Sequence, residues 1–218
     1  MLGTLPTAAA AATEPADAEF AIRWNTREGG PATVDAALAV LALRARHESR
    51  FKVGYFNPPA TSSAPAGFTA ILRRREEGDR RAELTFKLRG DRVLEQWSCP
   101  LRNAGPPKAE VDVTFGKAGA LSRAFSYSCT REDPASATAE FSATRKACVA
   151  DVMRRQGARV RVEEWQLPGG ATMIEVSGRG ENSAKALESF RARVVVPLLA
   201  AGIRPVADSK TELGSRCP

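Results

Sequence analysis

The chain has 218 residues, with 32 Lys plus Arg against 25 Asp plus Glu and a net charge of +7. That length suits one domain with a substantial core, and the charge favours anionic partners: a phosphorylated small molecule, nucleic acid or an acidic membrane surface. Aromatic residues make up 6% and nowhere interleave with regular Arg or Lys, which argues against a base-stacking nucleic-acid surface; no run of about 18 apolar residues is present to form a transmembrane helix.

Residues 1–18 read as a flexible tail or the remnant of an export signal. The small-residue run Ala8 to Ala12 suits a signal-peptidase site, while the absence of a basic start and the interruption at Pro6 do not. A processed signal implies a periplasmic or secreted protein; without it the expected location is the cytoplasm. Residues 19–218 are expected to form one domain. Four cysteines, Cys99, Cys129, Cys148 and Cys217, show no Cys-x-x-Cys spacing, and a single histidine accompanies them, which argues against zinc. Their even number allows two disulfides in three pairings, or four small buried apolar groups in a reducing compartment.

Glu19 to Trp24 alternates, with Phe20, Ile22 and Trp24 on one face and Glu19, Ala21 and Arg23 on the other, which predicts the first strand. Gly29-Gly30-Pro31 breaks it. A helix is expected over Thr33 to His47, with Thr33 as N-cap and Val34, Leu38, Leu41 and Ala45 at helical spacing. His47 then falls at the polar end of the helix, where no partner motif gives it a catalytic role. Arg50 to Phe56 reads as a strand, and Asn57 to Gly67 as a loop or lid.

Phe68 to Glu76 and Arg80 to Arg89 form an expected hairpin about Glu77-Gly78-Asp79. The second of these strands has one wholly polar face, Arg81, Glu83, Thr85, Lys87 and Arg89, and one wholly apolar face, Ala82, Leu84, Phe86 and Leu88. With Arg73 and Arg75 on the first strand, the pair presents a dense cationic surface of the kind an oligophosphate requires. Val93 to Ser98 reads as a further strand. In Ala109 to Phe115, Glu110 and Asp112 share a face about 7 Å apart, a spacing able to hold a hard cation through oxygen ligands. Leu121 to Cys129 completes the first half as a strand.

The second half is expected to run as a helix over Thr138 to Arg155, a strand over Ala158 to Gln166 with Arg159, Arg161 and Glu163 on one face, and a Pro168-Gly169-Gly170 turn. In the strand Thr172 to Gly178 the lone Glu175 among Met173, Ile174 and Val176 requires a salt bridge or a metal if buried. A long helix from Ser183 to about Ala201 follows, with Pro197 expected to bend its last turns.

In this order the segments resemble the CYTH superfamily, the triphosphate tunnel metalloenzymes, over roughly residues 19–214. Leu72-Arg73-Arg74-Arg75 looks like the family's Leu-Arg-x-Arg strand and Leu84-Thr85-Phe86-Lys87 like its Leu-Thr-x-Lys strand. Glu110-Val111-Asp112, Ile174-Glu175-Val176 and Ser209-Lys210-Thr211 are similar to its later signatures. The defining Glu-x-Glu-x-Lys motif reads Glu19-Phe20-Ala21-Ile22-Arg23, with Ala21 in place of the second carboxylate. The resemblance implies an α+β fold, an antiparallel eight-stranded β tunnel with helices packed outside.

It further implies a metal-dependent phosphohydrolase acting on triphosphate or a related phosphorylated compound. Glu19, Lys87 and Glu175 would be catalytic. Arg23, Arg73, Arg75, Lys87, Arg89, Arg161 and Lys210 would neutralise phosphate oxygens. Glu19, Glu110, Asp112 and Glu175 would hold Mg2+ or Mn2+. Phosphoryl transfer of this kind rests on positioning and electrostatics rather than on a protein nucleophile, in keeping with the lack of any Ser-His or Cys-His motif. The alternative that Ala21 favours is a non-catalytic polyanion-binding protein of the same fold, in the cell envelope if the tail is an export signal.

Overall fold

The structure, a computed structural model, describes residues 13–45, 47–58, 62, 64–77, 81–133, 148–156, 160–167, 170–209 and 212–213, with backbone alone for residues 81 and 148–156. Its strands are β1 (Asp17–Asn25), β2 (His47–Phe56), β3 (Phe68–Glu77), β4 (Arg81–Gly90), β5 (Lys108–Phe115), β6 (Leu121–Glu132), β7 (Cys148–Gln156), β8 (Val160–Gln166) and β9 (Thr172–Glu181). They close into one barrel in the order β1-β5-β6-β4-β3-β2-β7-β8-β9, with β9 returning to β1. Every neighbouring pair is antiparallel except β1 and β5, which run parallel with Glu19 beside Asp112. Closure leaves no edge strand among the described residues to template association.

The α+β barrel with external helices expected from the sequence is what the chain forms. Helix α1 (Val34–Val40), helix α2 (Ala184–Phe190), a π-helical turn over Arg191–Val195 and helix α3 (Val196–Ala200) lie outside it. Phe20, Ile22, Trp24, Val111, Val113, Phe115, Val162, Ile174 and Val176 turn outward and pack beneath these helices on Val34, Leu38, Phe190, Val194 and Leu198. On the opposite wall Leu72, Leu84, Phe86, Leu88 and Tyr127 are covered by Leu94, Trp97, Cys99 and Leu101 of the connection after β4. The apolar faces of β1, β4 and β5 thus point away from the barrel axis and their charged faces point in, whereas β2 turns Phe51, Val53 and Tyr55 inward.

Several local expectations differ. The wall includes a ninth strand, because Cys148–Gln156, within the span expected to be a helix, pairs with β2 and β8; residues 138–147 lie outside the described residues. Helix propensity is a weak prior, and the gap between β2 and β8 is filled by ladder hydrogen bonds that a helix would leave unmade. Helix α1 stops at Val40, not His47. Ala42 takes a left-handed φ of 50°, and the Leu43 amide returns to the Leu38 carbonyl at 2.9 Å, a C-terminal stop of Schellman type. His47 consequently opens β2.

No strand forms over Val93 to Ser98. That segment is held instead by the Leu94 amide donating to the Tyr127 hydroxyl at 2.7 Å and by a Cys99–Cys129 disulfide with Cα atoms 5.9 Å apart. The sequence left three pairings open; the side chain of Cys148 and all of Cys217 lie outside the described residues. Pro197 acts where expected, but as a π-helical turn just before it: the Val196 amide reaches back five residues to the Arg191 carbonyl, the device by which a helix accommodates a missing proline donor.

The disulfide closes a loop of 30 residues in sequence, which on the chain-entropy scale corresponds to about 3–4 kcal/mol. Reduction, or the Cys99→Ala and Cys129→Ala pair, should lower the midpoint of denaturant unfolding by that free energy, read from chemical denaturation with and without reductant.

Candidate functional site in the barrel

A closed sheet places every second side chain in its interior. Along β1 the inward residues are Glu19, Ala21 and Arg23, and along the parallel β5 they are Glu110, Asp112 and Thr114. The carboxylates converge: one oxygen from each of Glu19, Glu110 and Asp112 lies within 4.8 Å of the others. From β4, Lys87 Nζ donates to Asp112 Oδ2 at 3.2 Å and Arg89 Nη2 lies 2.7 Å from the same oxygen. Arg179 on β9 approaches Glu110 at 3.8 Å. The site therefore sets the carboxylates of the adjacent β1 and β5 between the cations of β9 on one side and of β4 on the other.

Burial is the main force that raises the Glu110 carboxyl above the ordinary carboxylate range, and the charges of Glu19 and Asp112 act in the same direction; Lys87 and Arg179 oppose them. Three crowded oxygen donors with mutual repulsion suit a hard divalent cation, which would relieve that repulsion. Ser126 Oγ and Arg89 Nε are buried beside them with no hydrogen-bond partner among the described residues, and Ser126 sits in register with both Arg89 and Glu110.

Deeper in the barrel, Arg23 Nε donates to Glu175 Oε2 at 2.9 Å, both side chains almost fully buried. Arg23 Nη1 also donates to the Asp208 carbonyl at 3.0 Å. Glu175, expected from sequence to need a salt bridge or a metal, has the salt bridge; it lines the same interior space as Glu19 and Asp112 but is not one of the three carboxylates whose oxygens converge. Arg23 is held by that pair and lines the same interior space, with Ser209. Ser209 and Glu212 form a reciprocal cap: the Glu212 amide donates to Ser209 Oγ at 3.2 Å, and the Ser209 amide to Glu212 Oε2 at 2.6 Å. Lys210 lies outside the described residues.

Arg73, Arg75, Lys87 and Arg89 do share one face, as Arg73 pairs in register with Thr85 and Arg75 with Glu83. Each has at least one local contact, although Arg73 Nε, like Arg89 Nε, is buried with no hydrogen-bond partner among the described residues. Arg73 Nη2 donates to Thr85 Oγ1 at 3.3 Å, and Arg75 bonds Glu77 Oε2 at 2.5 Å while lying 4.2 Å over the Phe51 ring. Arg161 is on the inward face of β8, in register with Ser177. Beside them lies an apolar group, in which Phe51, Val53 and Tyr55 of β2 pack with Ile71, Trp165 and Met173 and are joined by Val206 and Leu213 of the C-terminal segment, while the buried Glu163 accepts from the Trp165 indole N–H at 3.0 Å. That segment is stitched across the barrel end by Val206 N–H to the Arg23 carbonyl at 2.9 Å.

The free space around Glu19, Lys87, Arg89 and Asp112 is consequently only about 30 Å³, room for an ion or a few waters. A wider depression of about 530 Å³ opens next to it at the barrel mouth, lined by Asp17, Lys108, Glu110 and Arg179. Sequence reasoning passed over Ser126 and Arg179. Continuing the β9 alternation Glu175, Ser177, Arg179 would have found the second.

Two outcomes test these electrostatics. Arg23→Ala leaves Glu175 buried without its cation and should cost about 3–5 kcal/mol of unfolding free energy, whereas replacing Arg23 and Glu175 together by Met should cost far less; chemical denaturation distinguishes them. A raised carboxyl favours the protonated form in the fold, so Glu110's contribution is fully present below the ordinary carboxylate range and is lost as pH rises through its raised value. Glu110→Gln should therefore raise the melting temperature at neutral pH in chelator and leave it unchanged at acidic pH.

No protein-family model matches this sequence, and neither does any curated protein sequence. Among solved structures, the PH1819 protein of Pyrococcus horikoshii superposes with a TM-score of 0.49 at 11% identity, covering 89% of this chain and 97% of its own. A conserved hypothetical protein of Pyrococcus furiosus gives 0.49 at 14% identity over 90% and 99%. A Vibrio parahaemolyticus protein named "putative adenylate cyclase" gives 0.49 at 12% identity over 94% and 100%.

Proposed function

We propose that this barrel is a divalent-metal-dependent phosphohydrolase, with Mg2+ or Mn2+ held by Glu19, Glu110 and Asp112 and a phosphorylated ligand entering from the mouth. The observation that carries the reading is the convergence of three carboxylate oxygens within 4.8 Å beside two cations, Lys87 and Arg89, that both lie on Asp112. A bound cation would supply Lewis-acid polarisation of a phosphoryl oxygen. Lys87 and Arg89, with Asp112 then shared, would neutralise phosphate charge. The unpartnered Arg89 Nε and Ser126 Oγ offer further donors to a phosphate oxygen.

The sizes of the two spaces shape the expected substrate. About 30 Å³ at the carboxylates leaves no room for a whole triphosphate, while about 530 Å³ at the mouth does, so a terminal phosphoryl group would reach inward and the rest would lie against Lys108 and Arg179. Arg23 and Glu175 take the role of positioning residues, because they tie β1, β9 and the C-terminal segment together behind the carboxylates. Arg73, Arg75 and Arg161 stand along the same interior as secondary electrostatic support.

A second reading, a non-catalytic polyanion binder, is favoured by Ala21, which lines the site where a further carboxylate would complete a metal shell. The Cys99–Cys129 disulfide supports an oxidising compartment for either reading, such as the periplasm or the exterior.

Phosphate release from tripolyphosphate and nucleoside triphosphates, measured with Mg2+, Mn2+ or chelator, separates the two. The phosphohydrolase reading expects metal-dependent release that Asp112→Asn and Lys87→Ala each reduce by about 10²–10³-fold. Thermal stabilisation by metal and tripolyphosphate without release would establish the binder instead, and neither release nor stabilisation would remove both.

A further inference from the structure

An apolar concavity lies outside the barrel between α2 and the outer surface of β9, and its composition differs from that of the interior site. Phe20, Val160, Phe190 and Val194 form its floor, and the space is about 370 Å³, within the range of small-molecule sites. Phe190 stacks on Phe20 with ring centroids 5.7 Å apart and on Phe115 at 5.8 Å, so the floor is aromatic. Lys185 and Arg193 stand exposed at the rim, and Glu181 and Arg179 close one end, the latter drawn toward Glu110 at 3.8 Å.

The π-helical turn over Arg191–Val195 forms part of the wall and carries both Arg193 and Val194 into the lining. Such turns are rare and concentrate at functional sites, because the extra residue changes which side chains face a cavity. An apolar floor beneath a cationic rim is complementary to a molecule with the same division of character: an apolar body and an anionic head. A purely apolar ligand would leave the rim charges unanswered, and a polyphosphate would gain nothing from the aromatic floor.

We propose that this groove binds a monomeric amphiphilic anion, its chain or ring on Phe20 and Phe190 and its head group between Lys185 and Arg193. The groove shares Arg179 with the barrel mouth, but its floor and the rim cations Lys185 and Arg193 take no part in the carboxylate group. Gly180 offers a way to fill it: a Cβ there would lie at ordinary contact, 3.6 Å from Ala186 Cβ and 3.7 Å from Phe20 Cε2, and further carbons would extend into the groove.

The test is displacement of 1-anilinonaphthalene-8-sulfonate, an apolar anionic fluorophore, from the full chain by decanoate, decanol, decyltrimethylammonium, or vesicles of anionic phospholipid. Decanoate should displace the fluorophore at least about tenfold more effectively than decanol or the cation, a difference of about 1.4 kcal/mol. The Lys185→Glu/Arg193→Glu pair should remove that preference, and Gly180→Val should weaken all displacement, both with melting temperatures near that of the parent. Equal displacement by decanoate and decanol would overturn the proposal, as would activity of vesicles without activity of monomeric decanoate, or indifference of binding to both variants.

Discussion

Arg23 and Glu175 form the interaction on which the interior depends. They join β1 to β9 at 2.9 Å, and Arg23 carries the connection on to the Asp208 carbonyl, so two strands and the C-terminal segment meet at one buried ion pair. Removing two charges from water is costly, and the interior recovers that cost only where geometry and extra hydrogen bonds are good. Closure of the sheet makes the requirement general. An open sheet can turn its polar face to water, whereas here each inward charge must be answered by another part of the wall.

That constraint accounts for the division of the interior. Away from the mouth the barrel is filled by Phe51, Val53, Tyr55, Trp165 and Met173, and the charges nearby are answered by Thr85, Glu77 and an aromatic ring. Near the mouth the balance is less complete. Glu110 is destabilised as an anion by burial and by its carboxylate neighbours, and Arg89 and Ser126 retain polar atoms without partners. Arg73 Nε and Asp133 Oδ1 are likewise buried without a hydrogen-bond partner among the described residues, so the feature particular to the mouth is the crowding of three carboxylates. The parallel register of β1 and β5 creates it, because that register puts Glu19 directly beside Asp112.

The exterior obeys a different rule. Two layers cover the apolar outer face: helices over β1, β5, β8 and β9, and on the far wall the Leu94 to Leu101 connection, secured by Cys99–Cys129. Where the helical layer meets the end of β9, the cover is incomplete and a groove with cationic edges remains. The molecule thus presents a polar concavity inside and an amphiphilic one outside, separated by a single thickness of sheet.

Period-two alternation determined most of the wall by itself. Six of the strands follow from it because apolar and polar faces must separate wherever one face is buried, and Glu175 announced its need for a partner by standing alone among Met173, Ile174 and Val176. Glu110 and Asp112 were legible as a pair for the same reason. What tertiary structure decided was which partners those residues met. Glu175 found Arg23 across a strand pair 152 residues apart in sequence, and Glu19 joined Glu110 and Asp112 through a parallel pairing that no local pattern encodes. Cys148–Gln156 became a strand against its composition because its neighbours in the barrel offered a complete hydrogen-bond ladder. Spacing along a chain fixes faces; only closure of the sheet fixes which faces look at each other, and with them the charge balance of the site.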